Sequence, residues 1–166
     1  MATREPPLEL KVADEVWIAT ALLHREHPDQ LDFTPREIEE RARREQATDR
    51  LRSGVYTYAV SHGVANRKPD PGRYRMLLET AGGRRRLFRP GDPYHPDRAG
   101  AKYLPSREAI PSRYAYLLDW YEADYVERSQ GSAPDPLLAL RGVGKEMWSD
   151  EDPDAYVARL REGWSN

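Results

Sequence analysis

The segment RYRMLLETAGGRRRLFRP, residues 73–90, decides the fold class because it has the pattern of a β-hairpin. Between residues 74 and 79 the side chains alternate between two faces, as they do along a strand. The glycine pair of AGG, residues 81–83, supplies turn chemistry, and RRRLFRP provides a second strand. The predicted hairpin therefore carries a run of arginines close to its turn.

Helices on both sides of the hairpin are also predicted. The first covers residues 10–26, with Val16 and Leu23 on one apolar face. Another covers SGVYTYAVSHGVAN, residues 53–66, although its β-branched side chains leave a strand as the alternative. We expect Asn66 to end this helix in a left-handed conformation.

Between these two helices, FTPREIEERARRE has the clearest helix start in the sequence. Thr34 is a good N-cap, Pro35 suits the first helical position, and Glu37 completes a capping box. Phe33 can pack on Ile38 as a hydrophobic staple. The apolar stripe of this helix is thin, so we expect it to lie on the surface of a small core.

The order of these elements predicts an α+β fold class, mainly helical, of the winged helix-turn-helix type. In that architecture the third helix enters the major groove of DNA and the hairpin, called the wing, contacts the backbone beside it.

A fourth helix, residues 112–126, carries an aromatic stripe that we expect in the core. The composition of ERSQGSAPDP indicates a linker. We therefore divide the chain into a winged-helix-like domain (1–127), a linker (128–136) and a C-terminal arm (137–166).

The distribution of charge singles out the middle of the chain. Residues 67–113 contain twelve basic and five acidic side chains, a net charge of +7, whereas residues 1–66 carry −3 and residues 114–166 carry −6. A basic segment between acidic ends is compatible with a surface that faces nucleic acid, and the alternative is a solvated arginine-rich loop. The DNA-contacting residues predicted on this basis are Thr57, Ser61, His62, Asn66, Arg67, Lys68, Arg73, Arg84, Arg85, Arg86 and Arg89.

The sequence contains no convincing catalytic motif. Cysteine is absent, which excludes disulfides and thiol catalysis. RGVGKE, residues 141–146, superficially resembles a phosphate-binding loop. The first glycine of that motif would fall two residues before RGVGKE, where the chain has Ala139, and Glu146 stands where the magnesium-binding Ser or Thr belongs. His24 and His27 have no clear third ligand for a metal. We therefore predict no enzymatic activity, no metal and no cofactor.

No apolar run approaches the roughly 18 residues that a bilayer-spanning helix needs. The first ten residues, MATREPPLEL, lack the apolar core of a signal peptide. We therefore expect a cytoplasmic location and no membrane partner.

The arm has an apolar side that it cannot cover by itself. Its first part, DPLLALRGVGKEMW, indicates a short apolar helix or hook followed by an extended run to Trp148. Its second part begins a helix at Asp152, with Tyr156, Leu160 and Trp164 spaced i, i+4 and i+8. A helix of about a dozen residues is marginal alone in water. This face must therefore dock, either on the body of the protein or in a groove of a partner.

Residues 134–164 resemble the C-terminal arm of VapB-type antitoxins, through DPLLALRGVGKEMW and DPDAYVARLREGW. The resemblance implies that the arm wraps a PIN-domain ribonuclease toxin of the VapC type. It also implies that a basic side chain, Arg141 or Lys145, approaches the carboxylates that would hold magnesium in the toxin. The toxin-binding residues implied are Leu137, Leu138, Leu140, Arg141, Lys145, Trp148, Tyr156, Val157, Leu160, Arg161 and Trp164.

The body, residues 10–125, resembles a family of uncharacterised prokaryotic domains through VWIATALLHREHPDQLDFTPREI, GRYRMLLETAGGRRRLFRPGDPYHPDRAG and IPSRYAYLLDWYE. This second resemblance implies one folded unit and no particular activity. The DNA-binding half of VapB-type antitoxins is typically a swapped-hairpin barrel or a ribbon-helix-helix. The body departs from both patterns, so operon autorepression follows only by analogy.

Two function hypotheses result. The first is the antitoxin of a type II toxin–antitoxin system, which binds a PIN-domain toxin through its arm and operator DNA through its body. The alternative is a winged-helix DNA-binding transcriptional regulator whose tail packs on itself or mediates dimerisation. Paired operator half-sites need paired readers, so the expected assembly is a homodimer or a toxin–antitoxin hetero-oligomer.

Overall fold

The computed structural model of the chain describes residues 10–48, 53–70 and 72–131. The chain divides into two compact units, Met1–Glu127 and Arg128–Asn166, and nearly all of the described residues belong to the first. The predicted toxin-binding residues, from Leu137 to Trp164, lie outside the described residues, as do residues 132–136 of the predicted linker.

The first unit combines helices with one small antiparallel sheet, in keeping with the α+β prediction. Its helices are α1 (Val12–Glu26), α2 (Pro35–Glu45), α3 (Gly54–Thr57, continuing as a π-helical turn over Tyr58–His62) and α4 (Ala115–Trp120, continuing as a π-helical turn over Tyr121–Val126). A further helix, α5 (Glu127–Gly131), begins at the last residue of the first unit, and its other residues belong to the second. The strands are β1 (Leu77–Glu79) and β2 (Arg85–Leu87). Among the described residues, no helix has the length and apolar character required to cross a bilayer.

Helix α1 is the centre of the hydrophobic core, and its predicted position is confirmed. Every residue from Ala13 to His24 is buried, and Val16 and Trp17 have no exposed area. A helix buried on all sides must meet other elements all round its axis. Helix α1 does so by packing against α2, α3, β2 and α4.

Helix α2 begins with the predicted capping box. The Thr34 hydroxyl accepts a hydrogen bond from the Glu37 N–H at 3.2 Å, and the Glu37 carboxylate accepts one from the Thr34 N–H at 2.7 Å. Phe33 and Ile38 are buried in the same core cluster, as a hydrophobic staple requires. These contacts are local in sequence, which is why the sequence alone predicted them.

Replacing Thr34 by alanine is expected to lower the free energy of unfolding by about 1 kcal/mol, because the Glu37 N–H loses its acceptor. Glu37→Gln keeps an oxygen that can accept from the Thr34 N–H and should cost less. Urea unfolding followed by circular dichroism measures both variants. A Thr34→Ala protein as stable as the wild type would contradict a stabilising role for the box.

The predicted hairpin is confirmed. Strands β1 and β2 pair with Leu77 opposite Leu87 and are joined by the turn Ala81–Gly83. Gly82 and Gly83 have φ angles of 70° and 71°. Side chains disfavour this left-handed region, whereas glycine enters it without steric cost, which explains the glycine pair at the turn.

Two single-residue bridges attach the hairpin to the helical part. Phe33, between α1 and α2, pairs with Arg85 of β2, and their backbone hydrogen bonds measure 2.7 and 2.6 Å. Val64, just after α3, pairs with Leu77 of β1. Both edges of the hairpin are partly covered by these bridges, and the hairpin is fixed against the ends of α1, α2 and α3.

The aromatic stripe of the fourth helix lies in the core, as predicted. The Tyr121 ring meets the Trp17 ring edge-on at 5.8 Å between centroids and stacks on the Tyr125 ring at 5.6 Å. The Tyr121 hydroxyl donates to the Phe88 carbonyl, and the Tyr125 hydroxyl donates to the Leu87 carbonyl at 3.0 Å. The two phenols therefore bury their rings while their polar ends bond the backbone of the second strand and its flank.

His24 is buried beside this stripe. Its ring centroid lies 4.9 Å from that of Phe33 and 4.8 Å from that of Tyr125, and its Nε2 accepts from the Leu87 N–H at 3.4 Å. Burial, with two neighbouring arginines adding to the effect, lowers the pKa of His24 to about 3. The imidazole is therefore neutral in the folded protein at neutral pH.

The low pKa of His24 predicts that the fold loses stability in mild acid. The unfolded chain binds a proton at His24 below about pH 6.5, whereas the folded chain does so only near pH 3. Stability therefore falls as the pH decreases through this window, by about 1.4 kcal/mol per pH unit, or about 2 kcal/mol between pH 6.5 and 5.

Urea unfolding at several pH values measures this slope. His24→Gln should remove most of it, whereas His27→Gln, which removes an exposed imidazole three residues later, should keep it. An unchanged slope in His24→Gln would show that the acid sensitivity comes from other groups.

Candidate nucleic-acid interface

Helix α3 exposes Tyr56 and Thr57 on the surface of the first unit. Thr57 is a predicted groove contact, and the structure leaves it accessible. The predicted contacts Ser61 and His62 are half-buried. The Ser61 hydroxyl donates to the Thr57 carbonyl at 3.1 Å, and Nδ1 of His62 is buried with no hydrogen-bond partner among the described residues. The accessible part of α3 is therefore its first turn.

Asn66 does not end α3 as predicted. The helix ends at His62, and the left-handed conformation expected at Asn66 occurs instead at Gln46, which follows α2. The Asn66 amide accepts from the Glu79 N–H at 2.9 Å and donates to the Glu79 carbonyl at 3.0 Å. Both polar atoms of this side chain are thus occupied by the backbone of β1.

The arginines of the hairpin are engaged inside the protein. Arg84 forms an ion pair with Asp32, and Arg86 forms one with Asp92 at 2.6 Å. Arg85 is only 2% exposed. The predicted DNA contact of Arg85 is therefore wrong, because this side chain is buried, and its two neighbours have carboxylate partners. A long guanidinium can reach such partners from segments far away in sequence, which local patterns do not indicate.

Arg85 reaches from β2 to the end of α3. Its Nε donates to the Ala59 carbonyl at 3.0 Å and its Nη2 to the Val60 carbonyl at 3.1 Å. Its Nη1 lies 3.3 Å from the carboxylate of Glu79, its cross-strand partner. Burial lowers the pKa of Arg85, but a guanidinium stays charged in proteins. The carbonyls and Glu79 therefore replace the water that this charge has lost.

Arg98 is a second buried guanidinium, which no sequence pattern singles out. It ends the short helical turn Pro96–Arg98 and has no exposed area. Its Nε donates to the Arg67 carbonyl at 2.6 Å. Its two Nη atoms donate to the carbonyls of Ser61, His62, Lys68, Gly72 and Tyr74. The only hint in the sequence is that an irregular Pro- and Gly-rich segment needs an anchor other than a helix or strand.

Arg85 and Arg98 together cap the C-terminal end of α3. Four consecutive carbonyls, those of residues 59–62, accept hydrogen bonds from the two guanidinia. The last carbonyls of a helix lack partners within the helix and carry the negative end of its dipole. The arginines satisfy both requirements, which explains why α3 needs no left-handed residue at its end.

The segment after α3 forms an open depression of about 640 Å³, lined by Ser61, Arg67, Lys68, Pro69 and Asp70. The depression brings together three of the predicted DNA contacts. The Arg67 guanidinium donates to the Glu79 carboxylate at 2.7 Å, and this bond raises the pKa of Arg67. Lys68 is exposed, so the depression combines a paired cation with an accessible one.

The two remaining predicted contacts differ in their surroundings. Arg73 is exposed. The guanidinium of Arg89 lies 4.2 Å from the centroid of the Tyr125 ring, and its Nε is buried with no hydrogen-bond partner in the described part of the chain. Its charge is close enough to contribute to the low pKa of His24. Arg89 therefore belongs to the aromatic layer of the core and not to the tip of the hairpin.

Comparisons of the chain with protein-family models, with curated proteins and with solved structures found no match. The site is therefore interpreted from its own geometry. An exposed stretch of α3 and a basic loop lie next to each other. Arg85 and Arg98 anchor the end of α3, and Arg98 also anchors the loop. Such a surface offers hydroxyl groups, an amine and a guanidinium, which are the groups that contact DNA bases and phosphates.

Proposed function

We propose that the chain is the antitoxin of a type II toxin–antitoxin system. Its arm, residues 137–166, binds and inhibits a PIN-domain ribonuclease of the VapC type. Its body binds operator DNA and thereby regulates transcription. The protein acts in the cytoplasm as a partner of the toxin, without an enzymatic activity or cofactor of its own.

The observation that carries this proposal is the sequence of the arm. In the helix that the sequence predicts, Tyr156, Leu160 and Trp164 share an apolar face about three turns long, and the helix-start signals Asp152 and Pro153 precede it. Aromatic and arginine side chains on such a face are the types that dominate binding energy at protein interfaces. The resemblance to VapB-type arms extends over both halves of this segment.

The inhibitory mechanism follows from the chemistry of a metal-dependent ribonuclease. Magnesium in such an enzyme is held by clustered carboxylates. A cation of the arm, Arg141 or Lys145, placed among those carboxylates competes with the metal. The apolar anchors supply the affinity, and the bound arm obstructs the path of the RNA.

An inhibition assay with the full-length chain tests the proposal. We expect the neighbouring reading frame to encode a PIN-domain ribonuclease, which should lose RNA cleavage when about one equivalent of the chain is added. Bovine serum albumin at the same concentration serves as the control. Full ribonuclease activity at an excess of the chain would overturn the antitoxin function.

The DNA-binding half is supported by the order and packing of the body. Three helices precede the hairpin, and the bridges at Phe33 and Val64 fix the hairpin beside α3. This order is that of a winged helix-turn-helix, in which the third helix reads the major groove. We assign the base contacts to the exposed stretch of α3 and the phosphate contacts to the loop that follows it. The arginines of the hairpin stabilise the fold in this assignment.

Replacing Thr57 by valine is expected to reduce the preference for operator over unrelated DNA by about tenfold, because one base-edge contact is worth about 1–3 kcal/mol. The valine keeps the shape of the side chain and removes only the hydroxyl. Electrophoretic mobility shifts with the duplex upstream of the reading frame and with a scrambled duplex measure the ratio. An unchanged ratio would remove Thr57 from the groove contacts.

A regulator without a toxin is the second candidate, and the basic segment of the body favours it independently of the arm. Such a protein binds its operator but leaves the neighbouring ribonuclease active. The inhibition assay and the mobility shift therefore separate the two functions, because the antitoxin gives a positive result in both.

A further inference from the structure

The charges around the end of α3 do not balance. Arg67 and Arg85 share one carboxylate, that of Glu79, at 2.7 and 3.3 Å. Arg98 has no carboxylate partner among the described residues, and the acceptors of its hydrogen bonds are all backbone carbonyls. The helix end contributes about half a negative charge. An excess of positive charge therefore remains in this part of the protein.

This excess lies directly beneath the depression described above. The carbonyls of Ser61, Arg67 and Lys68 accept from Arg98 at 3.0, 2.6 and 3.4 Å, and the same three residues line the depression. One layer of loop backbone thus separates the buried guanidinium from the solvent. Protein atoms screen a charge less than water does, so an anion in the depression is attracted by Arg98.

The rim of the depression adds two cations and one carboxylate. Lys68 is exposed, and the side chain of Arg67 is 44% exposed beside its partner Glu79. Asp70 is the carboxylate among the lining residues, and it repels a doubly charged anion more strongly than a singly charged one. The cations outnumber this carboxylate, so the depression attracts a phosphate group.

The shape of the depression favours a phosphate that belongs to a long chain. Small-molecule sites bury most of their ligand in an enclosed pocket, whereas this depression is open to solvent. A backbone phosphate needs no enclosure, because neighbouring contacts hold the rest of the nucleic acid. Thr57, exposed one helical turn before Ser61, is placed to contact the same duplex.

We propose that the depression formed by Ser61, Arg67, Lys68, Pro69 and Asp70 binds a phosphodiester group of the DNA backbone, with Arg98 as the buried charge that attracts it. The inference rests on the DNA-binding half of the proposed function. It places the phosphate contact at the end of α3 and not at the arginine-rich turn of the hairpin.

Binding of the full-length chain to the duplex upstream of its reading frame, measured at several salt concentrations, tests the site. Lys68→Gln is expected to weaken binding to all sequences alike and to reduce the slope of log K against log salt by about 0.9. Asp70→Asn should do the opposite and tighten binding, because it removes a repulsive charge. The matched controls Arg107→Gln and Asp29→Asn make the same changes in net charge at exposed positions outside the depression and should leave the affinity unchanged.

The outcomes distinguish a failure of the proposed phosphate site from a failure of DNA binding as a whole. Opposite effects of Lys68→Gln and Asp70→Asn, absent from the controls, support the site, and a loss of folding cannot produce the tighter binding. If the wild type binds the duplex but both variants behave like their controls, the phosphate site is overturned while DNA binding stands. If the wild type binds no duplex even at low salt, the DNA-binding half and the site are overturned together.

Discussion

Replacing Arg98 by alanine is expected to lower the free energy of unfolding by about 4 kcal/mol or more, the largest loss that we expect from a single substitution in the body. The five N–H groups of Arg98 serve six carbonyls from the segment between Ser61 and Tyr74, so two carbonyls share one N–H. A buried acceptor that loses its donor costs about 1–3 kcal/mol. Water entering the cavity can restore some of these bonds, so the total remains below the sum of six penalties.

Two further variants make the Arg98 experiment decisive. Arg98→Lys keeps the charge but replaces a planar fork of five donors with a single ammonium, so it should lie between the wild type and Arg98→Ala. Arg73→Ala removes an exposed arginine and should change stability by no more than about 0.5 kcal/mol. Urea unfolding followed by tryptophan fluorescence, to which the buried Trp17 contributes, measures all three variants. Equal stability of Arg98→Ala and Arg73→Ala would contradict the anchoring role.

The internal contacts of the hairpin arginines make these residues poor targets for testing DNA binding. Charge reversal at Arg84, Arg85 and Arg86 would remove the ion pairs with Asp32 and Asp92 and take the Arg85 donors away from the Ala59 and Val60 carbonyls. A loss of DNA binding in such a variant would report unfolding as readily as a lost phosphate contact. Substitutions at exposed positions such as Lys68 avoid this ambiguity.

The double substitution Leu160→Ala with Trp164→Ala is expected to abolish neutralisation of the ribonuclease. Anchor residues of this type each cost about 2 kcal/mol or more when truncated. Two of them on one face therefore weaken the complex by about a thousandfold, since 1.4 kcal/mol corresponds to a factor of ten. Ribonuclease inhibition titrated with the full-length variant measures this loss.

A matched control lies on the opposite side of the same predicted helix. Glu162 is two residues, or about 200° around the axis, from Leu160, so Glu162→Ala should leave inhibition intact. The melting temperature of the body should be the same in all variants. A large drop in that temperature for the double variant would show that the tail is part of the body's core, which would favour the regulator over the antitoxin.

The parts of the fold that depend on neighbouring residues were predictable from sequence. The capping box at Thr34 and Glu37 joins residues three apart, and the glycine pair at residues 82–83 fits the φ angles of its own turn. Helix α1 was predicted from an apolar stripe, although its burial on all sides follows from the elements that surround it. The winged-helix assignment, the toxin-binding arm and the DNA contacts stay predictions.

The arginines show why the rest was not predictable. As a sequence, residues 84–86 are three adjacent cations beside a turn, and their spacing is the same whether they are solvated or buried. Two of them depend on a partner more than twenty residues away: Arg84 on Asp32, and Arg85 on the Ala59 carbonyl. Arg98 has no local signal at all, yet it anchors more backbone than any residue that a motif indicated.

The sequence by itself determined the helices, the hairpin turn, the basic middle of the chain and the apolar face of the arm, because each of these is set by spacing and composition. Tertiary structure alone decided which cations are internal and which remain available to a ligand. The physical reason is that a buried guanidinium requires several acceptors at once. Only folding brings the end of α3, strand β2 and the turn at Arg98 close enough to provide them.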